Sequence, residues 1–221
     1  MPNRIAIIPA RSGSKRIKNK NLINLKGKKL IFYALDQIKK CKMFKNIHVS
    51  TESLKIKKIV EKKNLKIDFL RPKKLANDKT PLKKVVDFTI KEYSNKNIKF
   101  DEIWLFFITN PFLTTRHIKK AYKLYKANKK KYSIMSVSEY NYPIDWALIE
   151  NKNSILKPLF KKNFKTNKKK IYCEAGMFII YQNDYLKNKN KLKYKPYKIP
   201  IWETVDIDTK DDLVLASKLK N

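Results

Sequence analysis

Short apolar runs alternate with amphipathic helical patterns along most of this 221-residue chain, and the connections between them are brief. Arg4 to Pro9 reads as a buried strand, and Leu30 to Lys40 as a helix that gathers Ile31, Ala34, Leu35 and Ile38 on one face. Asn46 to Ser50 predicts a second strand, followed by a helix capped near Thr51 or Ser53. Lys66 to Leu70 predicts a third strand, broken at Arg71-Pro72. A helix from about Pro81 to Tyr93 starts with proline, which is tolerated in the first turn. Glu102 to Ile108 is the most apolar run and predicts a central strand buried on both faces. A helix from Thr114 to Asn128 and a strand from Tyr132 to Ser138 follow. Met177 to Tyr181 and Lys198 to Trp202 predict further strands, and Lys210 to Leu219 the last helix. This order restricts the chain to an α/β fold with a mostly parallel sheet between helices. Such sheets bind ligands outside the carboxyl ends of their strands, which is where the loops after Pro9, Leu70 and Ile108 fall.

The chain is long enough for a single domain, 1–221, with a full core. The rhythm fails across residues 139–172, where Tyr140, Tyr142, Pro143, Trp146 and Leu148 precede a Lys- and Asn-rich stretch. That segment reads as an irregular excursion. No apolar stretch is long enough to span a bilayer, and no secretory h-region precedes the first strand. Cys41 and Cys173 lack CxxC or His-rich spacing and read as reduced thiols of a cytoplasmic protein, with no zinc site.

The formal charge of +34 suggests nucleic acid, yet only five of the 53 basic residues are Arg. Lysines are scattered among Asn and Ile along the whole chain, and no zinc-finger spacing or aromatic RNA-binding pattern accompanies them. The charge therefore reads as compositional drift on a solvated surface. Arginine becomes informative by its rarity: Arg4, Arg11, Arg16, Arg71 and Arg116 mark places where Lys does not suffice.

The first strand ends in Ala10-Arg11-Ser12-Gly13-Ser14-Lys15-Arg16, continuing to Lys20 and Asn21. Small residues let backbone N–H groups approach a ligand, and Arg11, Lys15, Arg16 and Lys20 can converge on it. The combination suits a polyanion such as a nucleoside triphosphate. No GxxxxGK[ST] is present, which disfavours a P-loop ATPase. Asp206 and Asp208 flank Ile207 at a spacing that points both carboxylates to one face, as a Mg²⁺ site needs. The same stretch reads equally as a helix start, with Thr209 or Asp208 capping and Asp211 and Asp212 favouring the dipole. Arg71-Pro72 and the following Leu75 to Thr80 can close on a nucleoside, or form a plain turn with Asp78 as an N-cap. His48 and His117 lack a Cys or Ser partner and read as structural.

Taken in order, Ile8-Pro9-Ala10-Arg11-Ser12-Gly13-Ser14-Lys15-Arg16 with Lys20-Asn21-Leu22, Val49-Ser50-Thr51, Arg71-Pro72 with Leu75-Ala76 and Asp78, Thr109-Asn110-Pro111, Glu174-Ala175-Gly176 and Asp206-Ile207-Asp208-Thr209 resemble the acylneuraminate cytidylyltransferases, or CMP-sialic acid synthetases. The resemblance implies a Rossmann-like nucleotidyltransferase of the glycosyltransferase-A type. It implies transfer of CMP from CTP to the anomeric hydroxyl of a nonulosonic acid, with release of pyrophosphate and Mg²⁺ as cofactor. On that pattern CTP is held by Ala10, Arg11, Ser12, Gly13, Ser14, Lys15, Lys20, Asn21, Arg71, Asp78 and Thr80. The sugar falls to Phe107, Thr109, Glu174 and Gly176, and the metal to Asp206 and Asp208. Arg11, Lys20 and Asp208 carry the chemistry. The family pattern also implies a homodimer formed through the 139–172 excursion.

Neuraminate-type members carry Gln where this chain has Phe107, and read Asn-Gly-Ala where it has Glu174-Ala175-Gly176. The local pattern, including Pro143-Ile144-Asp145-Trp146-Ala147-Leu148, is more similar to pseudaminic acid cytidylyltransferases. N-acetylneuraminic, legionaminic and 3-deoxy-octulosonic acids stay open as substrates. So does a nucleic-acid-binding protein on a degenerate scaffold, although a passive RNA binder has no need of two convergent carboxylates.

Overall fold

The computed structural model describes residues 2–160, 170–182, 185 and 192–220. In chain order its elements are β1 (Arg4–Pro9), β2 (Asn24–Leu25), β3 (Lys28–Lys29), α1 (Leu30–Lys40), β4 (Asn46–Ser50), α2 (Leu54–Glu61), α3 (Leu82–Ser94), β5 (Glu102–Phe106) and α4 (Thr115–Ala127). They continue with β6 (Ser133–Glu139), β7 (Leu148–Glu150), β8 (Leu156–Pro158), β9 (Tyr172–Ile180), β10 (Tyr194–Lys198) and α5 (Lys210–Leu219). Six strands form one sheet in the order β4-β1-β5-β9-β6-β10. Pairing is parallel between β1 and β4, β1 and β5, and β6 and β10, whereas β9 runs antiparallel to both neighbours. The architecture is the expected Rossmann-like α/β sandwich, with one reversed strand inserted.

Strand alternation divides the core. Ala6, Ile8, Val49, Trp104, Phe106 and Phe178 face α1, α2 and α4 through Ile31, Leu35, Ile38, Ile56, Val60 and Ile118. Ile5, Ile7, Ile103, Leu105 and Ile179 face α3 through Val86, Ile90 and Tyr93 on the opposite side. Both faces of β1 and β5 are thus covered, which is why these strands are apolar throughout.

Several expectations are corrected. Residues 66–70 form no strand: Ile67 is buried against the core, but its N–H bonds the Glu61 side chain 3.3 Å away rather than a neighbouring strand. The edge strand lies at Tyr194–Lys198, earlier than Lys198 to Trp202, and Ile201–Glu203 is a 3₁₀ turn. The central strand stops at Phe106, short of Ile108, although the Phe107 N–H still bonds Met177 O of β9 at 3.0 Å. Within 139–172, β7 and β8 pair as an antiparallel hairpin. No helix among the described residues is long and apolar enough to cross a membrane.

Candidate active site

Register brings the functional loops together. Pro9 pairs with Ser50, and Ile7 with Leu105, so the segments after β1, β4 and β5 leave the same edge of the sheet. The Ala10 N–H bonds Ser50 O at 2.9 Å and the Arg71 N–H bonds Thr51 O at 2.8 Å, which draws the 71–80 segment to that edge. A cavity of about 270 Å³ opens there. Its walls include Arg11, Ser14, Lys20, Asn21, Arg71, Asp78, Thr80, Phe107 and Thr109 from the sequence reading. Leu75 and Asn77, from the segment read as able to close on a nucleoside, also line it, as do Leu82, Val85 and Ile108, for which the sequence offered no chemical signal.

Other expected residues surround the cavity without lining it. Ala10 is fully buried beneath the loop. Ser12 gives its N–H and its hydroxyl to Glu52 Oε1, at 2.7 and 2.6 Å. Lys15 lies 2.7 Å from Asp78 Oδ2, and Arg11 pairs with Oδ1 of the same carboxylate. These two hydrogen-bonded cations, Lys15 before Arg11, hold the Asp78 carboxyl below the usual range. Asp78 is therefore an anion facing the loop rather than a helix cap; α3 begins at Leu82 behind Pro81 with no side-chain cap. Gly13 has open space around it, and Glu174 is an exposed residue of β9.

The loop is held from beneath by Asn21, a buried residue whose Nδ2 donates to Arg11 O at 2.7 Å. Beside it, Lys20 Nζ lies 2.5 Å and Arg16 Nη2 2.6 Å from the two oxygens of Asp208. Burial works against the Asp208 charge, but the hydrogen bond and charge of Lys20, joined by Arg16, outweigh it and lower the carboxyl. Asp206 shifts the other way. Although the residue is exposed, the protein packed around its carboxyl disfavours the charge, and Asp208 adds a like charge. Both raise it, against a hydrogen bond from Thr109.

Residues 205–208 form no strand, yet the Ile207 N–H bonds Thr109 O at 2.9 Å and the Ile207 side chain is fully buried. Asp206 and Asp208 are thereby fixed on either side of it. Gly176 adopts φ +59°, a conformation that favours glycine, and a Cβ there would stand 3.2 Å from Asp206 Oδ2 and press on that carboxylate. The helix-start reading of this stretch also holds. Thr209 caps α5 by accepting the Asp212 N–H at 3.3 Å, while Asp212 Oδ2 accepts the N–H groups of Asp208 and Thr209 at 3.0 and 2.7 Å. Among the described residues no group of three or more His, Cys, Asp or Glu side chains forms a metal cluster. Two carboxylates offer oxygen donors of the kind a hard divalent cation takes.

His48 and His117 serve structure. The first is buried and stacks on Phe69 at 4.4 Å; the second joins the capping box that starts α4.

Comparison with known proteins gives this geometry a context. The cytidylyltransferase family model matches residues 5–220. The chain is 30% identical over 222 residues to a pseudaminic acid cytidylyltransferase of Campylobacter jejuni subsp. jejuni, covering 97% of this chain and 95% of that protein. It is 29% identical to a CMP-N,N'-diacetyllegionaminic acid synthase of Legionella pneumophila subsp. pneumophila, with the same coverage of both chains. The fold is similar to that of a CMP:2-keto-3-deoxy-manno-octonic acid synthetase solved in complex with CTP, at a TM-score of 0.70, 14% identity and 98% coverage of each chain. The matched span takes in every element that frames the cavity, and the chain belongs to the cytidylyltransferase family.

Proposed function

We propose that the chain joins CMP from CTP to the anomeric hydroxyl of a nonulosonic acid, pseudaminic acid first among them, and releases pyrophosphate. The observation that carries this reading is one cavity at the sheet edge where Arg11, Lys20, Asn21 and Arg71 meet, with Lys20 also reaching Asp208. Arg11 and Lys15 hold the triphosphate once it displaces Asp78, with Gly13 and Ser14 of the same loop beside it. Asn21, Arg71 and Thr80 close on the nucleoside. In-line attack on the α-phosphorus gathers negative charge between nucleophile and leaving group, and Lys20 and Arg11 supply fixed positive charge there.

Asp206 and Asp208 are the residues that hold Mg²⁺. The metal, when bound, neutralises phosphate charge and makes the sugar hydroxyl more acidic. Phe107 and Thr109 line the side of the cavity proposed for the sugar, with Glu174 and Gly176 following on β9. The aromatic wall at Phe107 and the name of the Campylobacter relative favour pseudaminic acid over its isomers.

The 139–172 segment is the proposed dimer contact of a cytoplasmic enzyme. Among the described residues of that segment, Tyr142, Trp146 and Leu156 are 72%, 62% and 61% exposed, which supports this reading.

Thermal unfolding with CTP tests the nucleotide assignment. At roughly a hundred times its dissociation constant, CTP stabilises by about 2.7 kcal/mol, and ATP far less. Equal stabilisation by both contradicts a cytidine site.

A further inference from the structure

Glu52, just beyond β4, was not singled out by the sequence, yet its carboxylate joins two parts of the nucleotide cavity. Oε1 accepts both the backbone N–H and the hydroxyl of Ser12 on the β1 loop, at 2.7 and 2.6 Å. Oε2 accepts Arg71 Nη2 from the opposite wall at 3.3 Å. The side chains of Glu52 and Arg71 are 10% and 3% exposed, so this pair is shielded from solvent screening. Burial disfavours the Glu52 charge, but the Ser12 hydrogen bonds and Arg71 outweigh it and lower the carboxyl, so it is ionised at neutral pH.

Arg71 needs that anion. Burial and the nearby charge of Arg11 both work against its guanidinium, and Glu52 opposes them. Its Nε is buried without an acceptor among the described residues, while Arg71 itself lines the cavity. Ser12, by contrast, has both donors engaged and does not line the cavity.

We infer that Glu52 is a positioning residue for CTP, which ties Ser12 of the β1 loop to Arg71 so that Arg11 and Arg71 stand together at the cavity, and that Ser12 is the anchor of this tie rather than a ligand of the nucleotide. The inference rests on the CTP reading above. It assigns Glu52 no contact with substrate; its effect passes through the loop and the arginine.

The test compares Glu52→Gln, Ser12→Ala and the double variant in the full chain, by CTP titration calorimetry, steady-state kinetics and thermal unfolding of the free protein. Gln keeps the shape and one acceptor but loses the charge. The expected result is a KM for CTP raised about tenfold or more, with kcat reduced by less; the free Tm falls too, because Arg71 is left buried without its counter-charge, and the KM-against-kcat split separates positioning from a mere loss of stability. The double variant is expected to be no worse than Glu52→Gln, because both changes cut the same tie. If Glu52→Gln does not fold, Glu52→Asp keeps the charge; one methylene short of spanning Ser12 and Arg71, it is expected to raise the KM several-fold. Parent-like CTP binding in a folded Glu52 variant overturns the inference, and so does an effect of Ser12→Ala that multiplies in full with that of Glu52→Gln. A parent protein that binds no CTP removes the underlying reading; a parent that binds it beside an unaffected variant removes this inference alone.

Discussion

Lys20 Nζ lies 2.5 Å from Asp208 Oδ1, joining residues 188 positions apart. The lysine side chain is 14% exposed and lines the cavity at the sheet edge, while Asp208 sits just ahead of α5. The pair links the cation proposed for the phosphates to the carboxylate proposed for the metal. Asp208→Asn removes the charge while keeping the shape. Turnover is expected to fall at least about a hundredfold, with CTP affinity within a few-fold of the parent. Single-turnover kinetics beside calorimetry check this, and undiminished turnover refutes a role for Asp208 in the chemistry.

Asp78 stands as an internal anion on Arg11 and Lys15. An incoming triphosphate competes with it. Asp78→Asn is expected to tighten binding of inorganic tripolyphosphate about two- to fivefold at low salt, with the gain fading as salt screens the exposed pair. Titration at two ionic strengths reads the effect directly. Weaker binding in the variant means instead that Asp78 helps to hold the nucleotide.

Gly176 gives Asp206 its room. A methyl group 3.2 Å from Asp206 Oδ2, on a backbone with φ +59°, strains the residue and displaces the carboxylate. Gly176→Ala is expected to lose about 1–2 kcal/mol of stability while turnover falls about tenfold. Urea unfolding and kcat separate the two effects.

His48 is buried neutral. Burial is the main cause that lowers its pKa to about 4 from 6.5, with Lys96 and Arg71 adding and Asp68 opposing. Between those values the unfolded chain binds a proton that the folded one excludes. Stability is therefore complete above pH 6.5 and declines as pH falls from there toward 4. His48→Phe, which keeps an aromatic ring against Phe69, is expected to recover most of a loss of about 2 kcal/mol between pH 7 and pH 5. Chemical unfolding at those two pH values measures it.

Local pattern carried much of the fold into the sequence. β1, α1, β4 and α5 begin and end where periodicity puts them, because each has an apolar face and a clear stop. Four of the five arginines stand at buried or ion-paired places, although Lys15 and Lys20 share the carboxylates of Arg11 and Arg16. Arg71 is buried in the cavity wall, Arg11 and Arg16 pair with Asp78 and Asp208, and Arg4 lies buried against Glu102. Features set by long-range pairing were hidden. The reversed direction of β9 depends on the path of the chain, and 66–70 has strand composition but no neighbour with which to pair. Glu52 escaped notice for the same reason: one carboxylate after Val49-Ser50-Thr51 has no pattern of its own, and its partners Ser12 and Arg71 become visible only once β1 and β4 are side by side.

The central claim is transfer of CMP to a nonulosonic acid, and pyrophosphate release measures it most directly. CTP and Mg²⁺ are supplied with pseudaminic, legionaminic, N-acetylneuraminic and 3-deoxy-octulosonic acids in separate reactions. The account predicts release that depends on both CTP and sugar, fastest with pseudaminic acid. Release with 3-deoxy-octulosonic acid alone, or none with any of the four from folded protein, contradicts it.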